Sequence, residues 1–241
     1  LDKLTVIDTS DQFADCDLVI EAVFENQMIK TKVTREAEEY LDEYGIMSTY
    51  TISIPISTLS ASSRSPANYV GLHFFPPAEQ VSLVEIVKGK QTTDETVARA
   101  FDFATLIRKT PIVVMDVWGF YAARVQNTYI LEGITLLQEG HPPGLVENLG
   151  LQVGMPKGPL SLADDLGLDI VKSYEDQAAL HYGKHYVQHP AAVALRSMIE
   201  NDRIGKSRDA GFFDYFSDGT SSVWAKLPEL FPSTKADFDR K

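Results

Sequence analysis

The segment YVGLHFFPPAEQVSLVEIVKGK, residues 69–90, decides the fold. Its apolar runs Tyr69–Phe75 and Val81–Val87 have strand length and composition, and Pro76-Pro77 puts a turn between them. With that turn centred near Glu79, a hairpin register sets His73 opposite Glu85. Working outward, further strands are read at 17–24 (DLVIEAVF), Ile46–Ile52 and Thr110–Met115. Helical spacing lies between them. Met28, Ile29, Val33, Ala37 and Leu41 place an apolar stripe on 26–44, with Gly45 as its stop. Ser57–Ser63 reads as a short helix. Thr93–Lys109 reads as a longer one, with Thr93 and Thr96 at its start and Asp94 and Glu95 complementing its dipole. Strands alternating with helices imply a mostly parallel sheet joined by crossovers.

Beyond Asp116 the texture changes. Helical patterns follow at 119–139, 143–153, 160–182 and 190–202, broken by Gly and Pro, and no further strand is expected. The sequence thus divides into an α/β domain over residues 1–115 and an all-α domain over residues 116–241, with no internal repeat or low-complexity tract.

A chain of 241 residues, 44% hydrophobic and 23% charged, is expected to be soluble and to build one large or two modest cores. No apolar run approaches the roughly 20 residues of a membrane helix. A net charge of −12 argues against sequence-independent nucleic-acid binding, which depends on Lys and Arg neutralising phosphates. It still allows an anionic ligand in a local basic pocket. The single cysteine, Cys16, cannot form an internal disulfide and points to a reducing, cytoplasmic setting.

The pair His73 and Glu85 is the main chemical candidate. A carboxylate on one imidazole nitrogen fixes the tautomer and stabilises the imidazolium, so the other nitrogen can take a proton. Oxidation of a hydroxyl to a ketone needs such a base, while a cofactor takes the hydride. Taken alone, the same two residues read more readily as a satisfied core histidine and a strand-end charge.

The surrounding residues weight the choice. HFFPPAEQVSLVEIV resembles the signature of the 3-hydroxyacyl-CoA dehydrogenases, in which an HFF-x-P stretch leads to LVE. IEAVFEN (20–26), TISIPIS (51–57), TTDETVARA (92–100), KTPIVV (109–114), GMPKGPLSLADDLGLD (154–169) and DRIGKSRDAGFFDY (202–215) resemble further family segments in the same order. The resemblance implies an incomplete Rossmann-type domain followed by a helical domain that forms a homodimer, with the active site in the cleft between them. It implies NAD-dependent oxidation of a 3-hydroxyacyl-CoA to the 3-oxoacyl-CoA of fatty-acid β-oxidation. His73 would be the general base and Glu85 its orienting partner. Glu25 and Lys30 would meet the nicotinamide-ribose end of NAD, with Pro76 and Ser207 at two further cofactor positions. Tyr50 and Ile52 would stand where the substrate is met. The ending KLPELFP is similar to multifunctional relatives that carry an enoyl-CoA hydratase.

The sequence also departs from the family. No G-x-G-x-x-G occurs, and Leu1 aligns well inside the first domain, so weak or absent NAD binding is expected. The family's Asn-Thr-Ser turn reads Tyr50-Thr51-Ile52, and the Asn of HFFN is Pro76. In the PGFxxNR-like stretch Trp118 replaces Pro and Ala123 replaces the catalytic Asn, while Gly119, Phe120 and Arg124 persist. Ser207 stands for a cofactor-contacting Lys. Losing one preorganised donor costs about 10²–10³ in rate. The rival expectation is therefore a catalytically inactive dimerising or acyl-CoA-binding module.

Other clusters read as structural. His181, His185 and His189 recur every fourth residue, but Gly183 and Pro190 interrupt a common helical face, and no metal site is expected. Gly150, Gly154 and Gly158 surround Pro156 and Lys157 in a loop rather than a membrane contact. Asp164, Asp165 and Asp169 read as a polar helical face, and Phe212, Phe213, Tyr215 and Phe216 as packing for the terminal loop.

Overall fold

A computed structural model describes residues 5–7, 9, 14, 16–52 and 54–233. The chain forms two compact units, 1–124 and 125–241.

In the first unit, five strands form one sheet among the described residues: β1 (Leu18–Glu21), β2 (Ile46–Thr49), β3 (Tyr69–Phe74), β4 (Leu83–Lys88) and β5 (Thr110–Met115), adjacent in that order. β1, β2 and β3 are mutually parallel, β4 turns back antiparallel to β3, and β5 runs parallel to β4. Each parallel step needs a crossover. α1 (Gln27–Glu38), α2 (Ile56–Ser60) and α3 (Asp94–Leu106) provide them. The strand alternation divides the core. Met47, Tyr69 and Val87 pack with Ala37 and Leu41 beside α1, with Ile56 and Leu59 of α2, and with Phe120. Ile46, Val70, Leu72 and Ile86 pack on the other face with Ala100 of α3. Burial on both faces explains why these strands read as nearly unbroken apolar runs.

Two helix starts are set locally. The Asn26 side chain accepts the amides of Met28 and Ile29, and that of Thr93 accepts the amide of Thr96. α1 stops at Glu38, short of the expected Gly45. Asp42 makes the difference: its side chain accepts the Tyr44 amide and its carbonyl the Gly45 amide, a turn that competes with helix.

The second unit contains α4 (Ala122–Gln138), whose first turn belongs to the first unit, then α5 (Pro143–Gln152), α6 (Pro159–Leu166), α7 (Leu168–Tyr182) and α8 (Ala192–Glu200). The helix expected over 160–182 is two helices, broken at Gly167 with φ +97°. There the Leu168 amide donates to the Ile204 carbonyl instead of continuing the helical ladder. A short ribbon, β6 (Phe213–Tyr215) with β7 (Ser221–Val223), and α9 (Leu227–Leu230) complete the unit. The ribbon corrects the expectation that strands end with the first domain. Its strands are three residues each, too short for a periodicity signal.

Asp164 is likewise not part of a solvated face, although Asp165 and Asp169 are exposed. It is fully buried, and its carboxylate accepts the amides of Phe212 and Phe213 and the hydroxyl of Tyr215. The terminal loop is therefore tied down by a polar anchor as well as by Phe212, which is buried in the core; Phe216 is exposed and takes no part. A Cβ on Gly211 would fall 2.0 Å from Asp164 Oδ1, so the close approach requires glycine there.

Burial pushes the Asp164 carboxyl up to about 6 from 3.8, against the opposing pull of its amide donors, Tyr215 and Arg203. The folded state then holds the proton more tightly than the unfolded chain. The linked stability is full below pH 3.8 and is lost as pH rises through about 6. The difference in unfolding free energy between the wild type and Asp164→Asn should shift by roughly 2 kcal/mol between pH 4 and 7, with the wild type losing ground as pH rises. Guanidinium titrations across that range measure it, and a difference that grows the other way would refute the sign.

Candidate active site

The antiparallel pairing of β3 with β4 places His73 directly across from Glu85. His73 Nδ1 lies 2.6 Å from Glu85 Oε2. Glu85 has no exposed surface, and His73 keeps 6%. A buried carboxylate facing Nδ1 accepts its proton, which leaves Nε2 as the acceptor nitrogen. Tyr50, Phe75 and Phe120 rim the imidazole, with ring centroids 5.6, 4.5 and 5.8 Å away. Burial, with Glu25 adding, pushes the Tyr50 phenol up from its ordinary value.

The second oxygen of Glu85 is also committed. Oε1 accepts the amides of Tyr121 at 3.0 Å and Ala122 at 2.7 Å, the first donors of α4. Gly119 (φ +68°) and Phe120 (φ +49°) turn the chain through the left-handed region to present those amides. This attachment keeps residues 116–124 with the sheet, so the compact first unit extends past the expected division at 115. Asp116 adds to it by accepting the amides of Ile56 and Ser57 at the start of α2. Ala123 follows in the first turn of α4, half-buried, with no side-chain donor to offer.

A second buried network joins the ends of β1 and β2. Lys30 is fully buried, and its Nζ donates to Glu21 Oε1 at 3.0 Å, the Tyr50 carbonyl at 2.7 Å and the Val23 carbonyl at 3.3 Å. Glu21 also accepts from the Val23 amide and the Thr49 hydroxyl. Glu25 Oε2 lies 3.8 Å from Lys30 Nζ, while Oε1 accepts from the Thr51 hydroxyl and the amides of Ile52 and Ile54. Ile52 itself is exposed, and Ser53 of the same turn lies outside the described residues.

Of the four residues that the resemblance implies for NAD, two do not fit a contact. Lys30 has neither surface nor a spare donor, and Pro76 is an exposed turn residue without an amide proton. Glu25 keeps part of its side chain at the surface, and Ser207 is exposed in a 3₁₀ turn, Lys206–Arg208, of the second unit. The three spaced histidines also separate: His181 ends α7, His185 closes a 3₁₀ turn, and His189 faces Glu132. Among the described residues no three His, Cys, Asp or Glu gather as metal ligands.

A family model for the NAD binding domain of 3-hydroxyacyl-CoA dehydrogenase matches residues 1–117, and the model for the same family's C-terminal domain matches residues 119–215. The crystal structure of FadB2 from M. tuberculosis is 30% identical, with a TM-score of 0.73 over 86% of this chain and 73% of that one. The chain belongs to the 3-hydroxyacyl-CoA dehydrogenase family. Another member, the (S)-3-hydroxybutyryl-CoA dehydrogenase PaaH1 from Ralstonia eutropha, is 29% identical with a TM-score of 0.78, covering 87% and 74% of the two chains. The fatty acid oxidation complex subunit alpha of Idiomarina loihiensis is 36% identical over 203 residues, 84% of this chain. The chain spans under a third of the length of the curated relatives it matches, 28% and 29% for two such subunits.

Sequence reasoning paired His73 with Glu85 but missed the amides of Tyr121 and Ala122 and the Lys30–Glu21 pair. Main-chain donors carry no side-chain signature. In the sequence Glu21 shows only as a charge within an otherwise apolar run, Leu18–Phe24. Removing one partner of a buried ion pair leaves the other uncompensated. Lys30→Met should therefore destabilise the chain by about 3–5 kcal/mol in urea titrations, and Lys30→Met with Glu21→Leu should recover a large part of it. A single variant as stable as the wild type would contradict the burial of this pair.

Proposed function

We propose that the chain carries NAD-dependent oxidation of a 3-hydroxyacyl-CoA to the 3-oxoacyl-CoA in fatty-acid β-oxidation. The observation that carries this reading is the 2.6 Å contact between His73 Nδ1 and Glu85 Oε2, with the far oxygen held by two amides. Glu85 fixes the imidazole with Nε2 as the accepting atom, and Nε2 takes the substrate hydroxyl proton. The resulting imidazolium is stabilised by the carboxylate 2.6 Å away. A bound dinucleotide would accept the hydride, and Glu25 and Ser207 are the polar candidates on this chain to hold it. Acyl-CoA is the proposed substrate, a homodimer formed through the helical domain the proposed assembly, and the cytoplasm the proposed setting.

A second reading rests on a specific observation. At the two positions where the family offers donors to the substrate oxygen, this chain has Ile52, exposed and apolar, and Ala123, which lacks a side-chain donor. An inactive module that keeps acyl-CoA binding fits that loss.

Incubation with acetoacetyl-CoA and NADH, followed at the nicotinamide absorbance band, separates the two. Under the first reading NADH is consumed and His73→Ala reduces the rate by at least 10²-fold, the low end for a lost general base. No turnover with acyl-CoA binding retained favours the module.

Ala123→Asn restores a donor at the start of α4. Turnover should rise by about 10-fold or more, part of the 10²–10³ that one such donor carries. An unchanged kcat in a correctly folded variant would remove Ala123 as the cause of a weak site.

A further inference from the structure

We infer that Lys30 is a positioning residue that clamps the ends of β1 and β2 beside His73, and that it does not contact the cofactor. This inference refines the proposed dehydrogenase site and rests on that reading for its link to catalysis.

An ammonium group has three protons to donate. Those of Lys30 are taken by the Glu21 carboxylate, the Tyr50 carbonyl and the Val23 carbonyl, at 3.0, 2.7 and 3.3 Å. With no exposed surface, the side chain cannot exchange one of these partners for a ribose hydroxyl without opening the core. Lys30 instead ties three elements together. Glu21 belongs to β1, Val23 follows β1, and Tyr50 follows β2.

Two paths lead from this clamp to the base. Tyr50, held through its carbonyl, sets its ring 5.6 Å from that of His73, tilted by 44°. Glu25, with Oε2 3.8 Å from the ammonium, uses its other oxygen to hold the Thr51 hydroxyl and the amides of Ile52 and Ile54. The turn that the resemblance assigns to the substrate is thus ordered by an acidic side chain whose charge Lys30 balances. A residue that only filled the core would have no reason to reach both carbonyls and both carboxylates.

The experiment is site-resolved hydrogen exchange on the whole chain, which needs neither cofactor nor turnover. In Lys30→Met the amides of Ile52 and Ile54 should exchange at least tenfold faster beyond the factor by which the global loss of stability speeds those of Ile86 and Val87 in β4. Lys30→Met/Glu21→Leu removes the orphaned carboxylate and should show the same local loosening, which keeps the test available if the single variant unfolds. Lys30→Arg should restore part of the protection. In turnover of acetoacetyl-CoA, Lys30→Met should lower kcat and leave the KM for NADH within twofold. A raised KM for NADH with unchanged exchange at residues 52 and 54 would overturn the inference, as would unchanged exchange in both Met variants. If the wild type shows no turnover, the dehydrogenase reading fails on its own and the exchange data alone decide the role of Lys30.

Discussion

The carboxylate of Glu85 joins two parts of the first unit, the β3–β4 strand pair and the start of α4. One oxygen meets His73 across an antiparallel strand pair, and the other takes the first two amides of α4. A fully buried carboxylate is costly unless its lone pairs are occupied, and here both oxygens are. The helix start contributes its positive end as well as two donors. The orientation of the imidazole and the place where α4 begins are consequently fixed by the same group. Moving either would leave charge or amides unsatisfied in a region of low dielectric.

The same device recurs. Asp116 receives the amides of Ile56 and Ser57 for α2, and Glu147 those of Leu160 and Ser161 for α6. Neither helix has a local side-chain cap. Carboxylates far away in sequence thus satisfy donors that a helix leaves open. Such caps hold elements together as well as stabilising each one. Asp164 and Lys30 extend this logic to a loop and to two strand ends. In each unit the apolar clusters supply the burial, and a few enclosed charges fix the segments between the regular elements.

The site combines retained and altered parts of its family. The dyad, Gly119, Phe120 and Arg124 are in place, and the left-handed turn at 119–120 is what aims the amides at Glu85. Ile52 and Ala123 are among the altered positions. Replacement there leaves the scaffold intact because neither residue takes part through its side chain in a hydrogen bond that the fold uses.

By itself the sequence determined the strand and helix order of the first unit, the hairpin register that opposes His73 to Glu85, and the helix start at Thr93. These depend on periodicity, turn residues and neighbours within a few positions, so short windows carry them. Only the tertiary structure decided that Lys30 has no donor left for a ligand, that Asp164 is an anchor rather than a surface charge, and that α4 begins on a carboxylate thirty-seven residues upstream. Those outcomes depend on which main-chain amides and carbonyls reach a buried charge. Every residue except proline supplies the same amide, so no side-chain pattern could have named the partners.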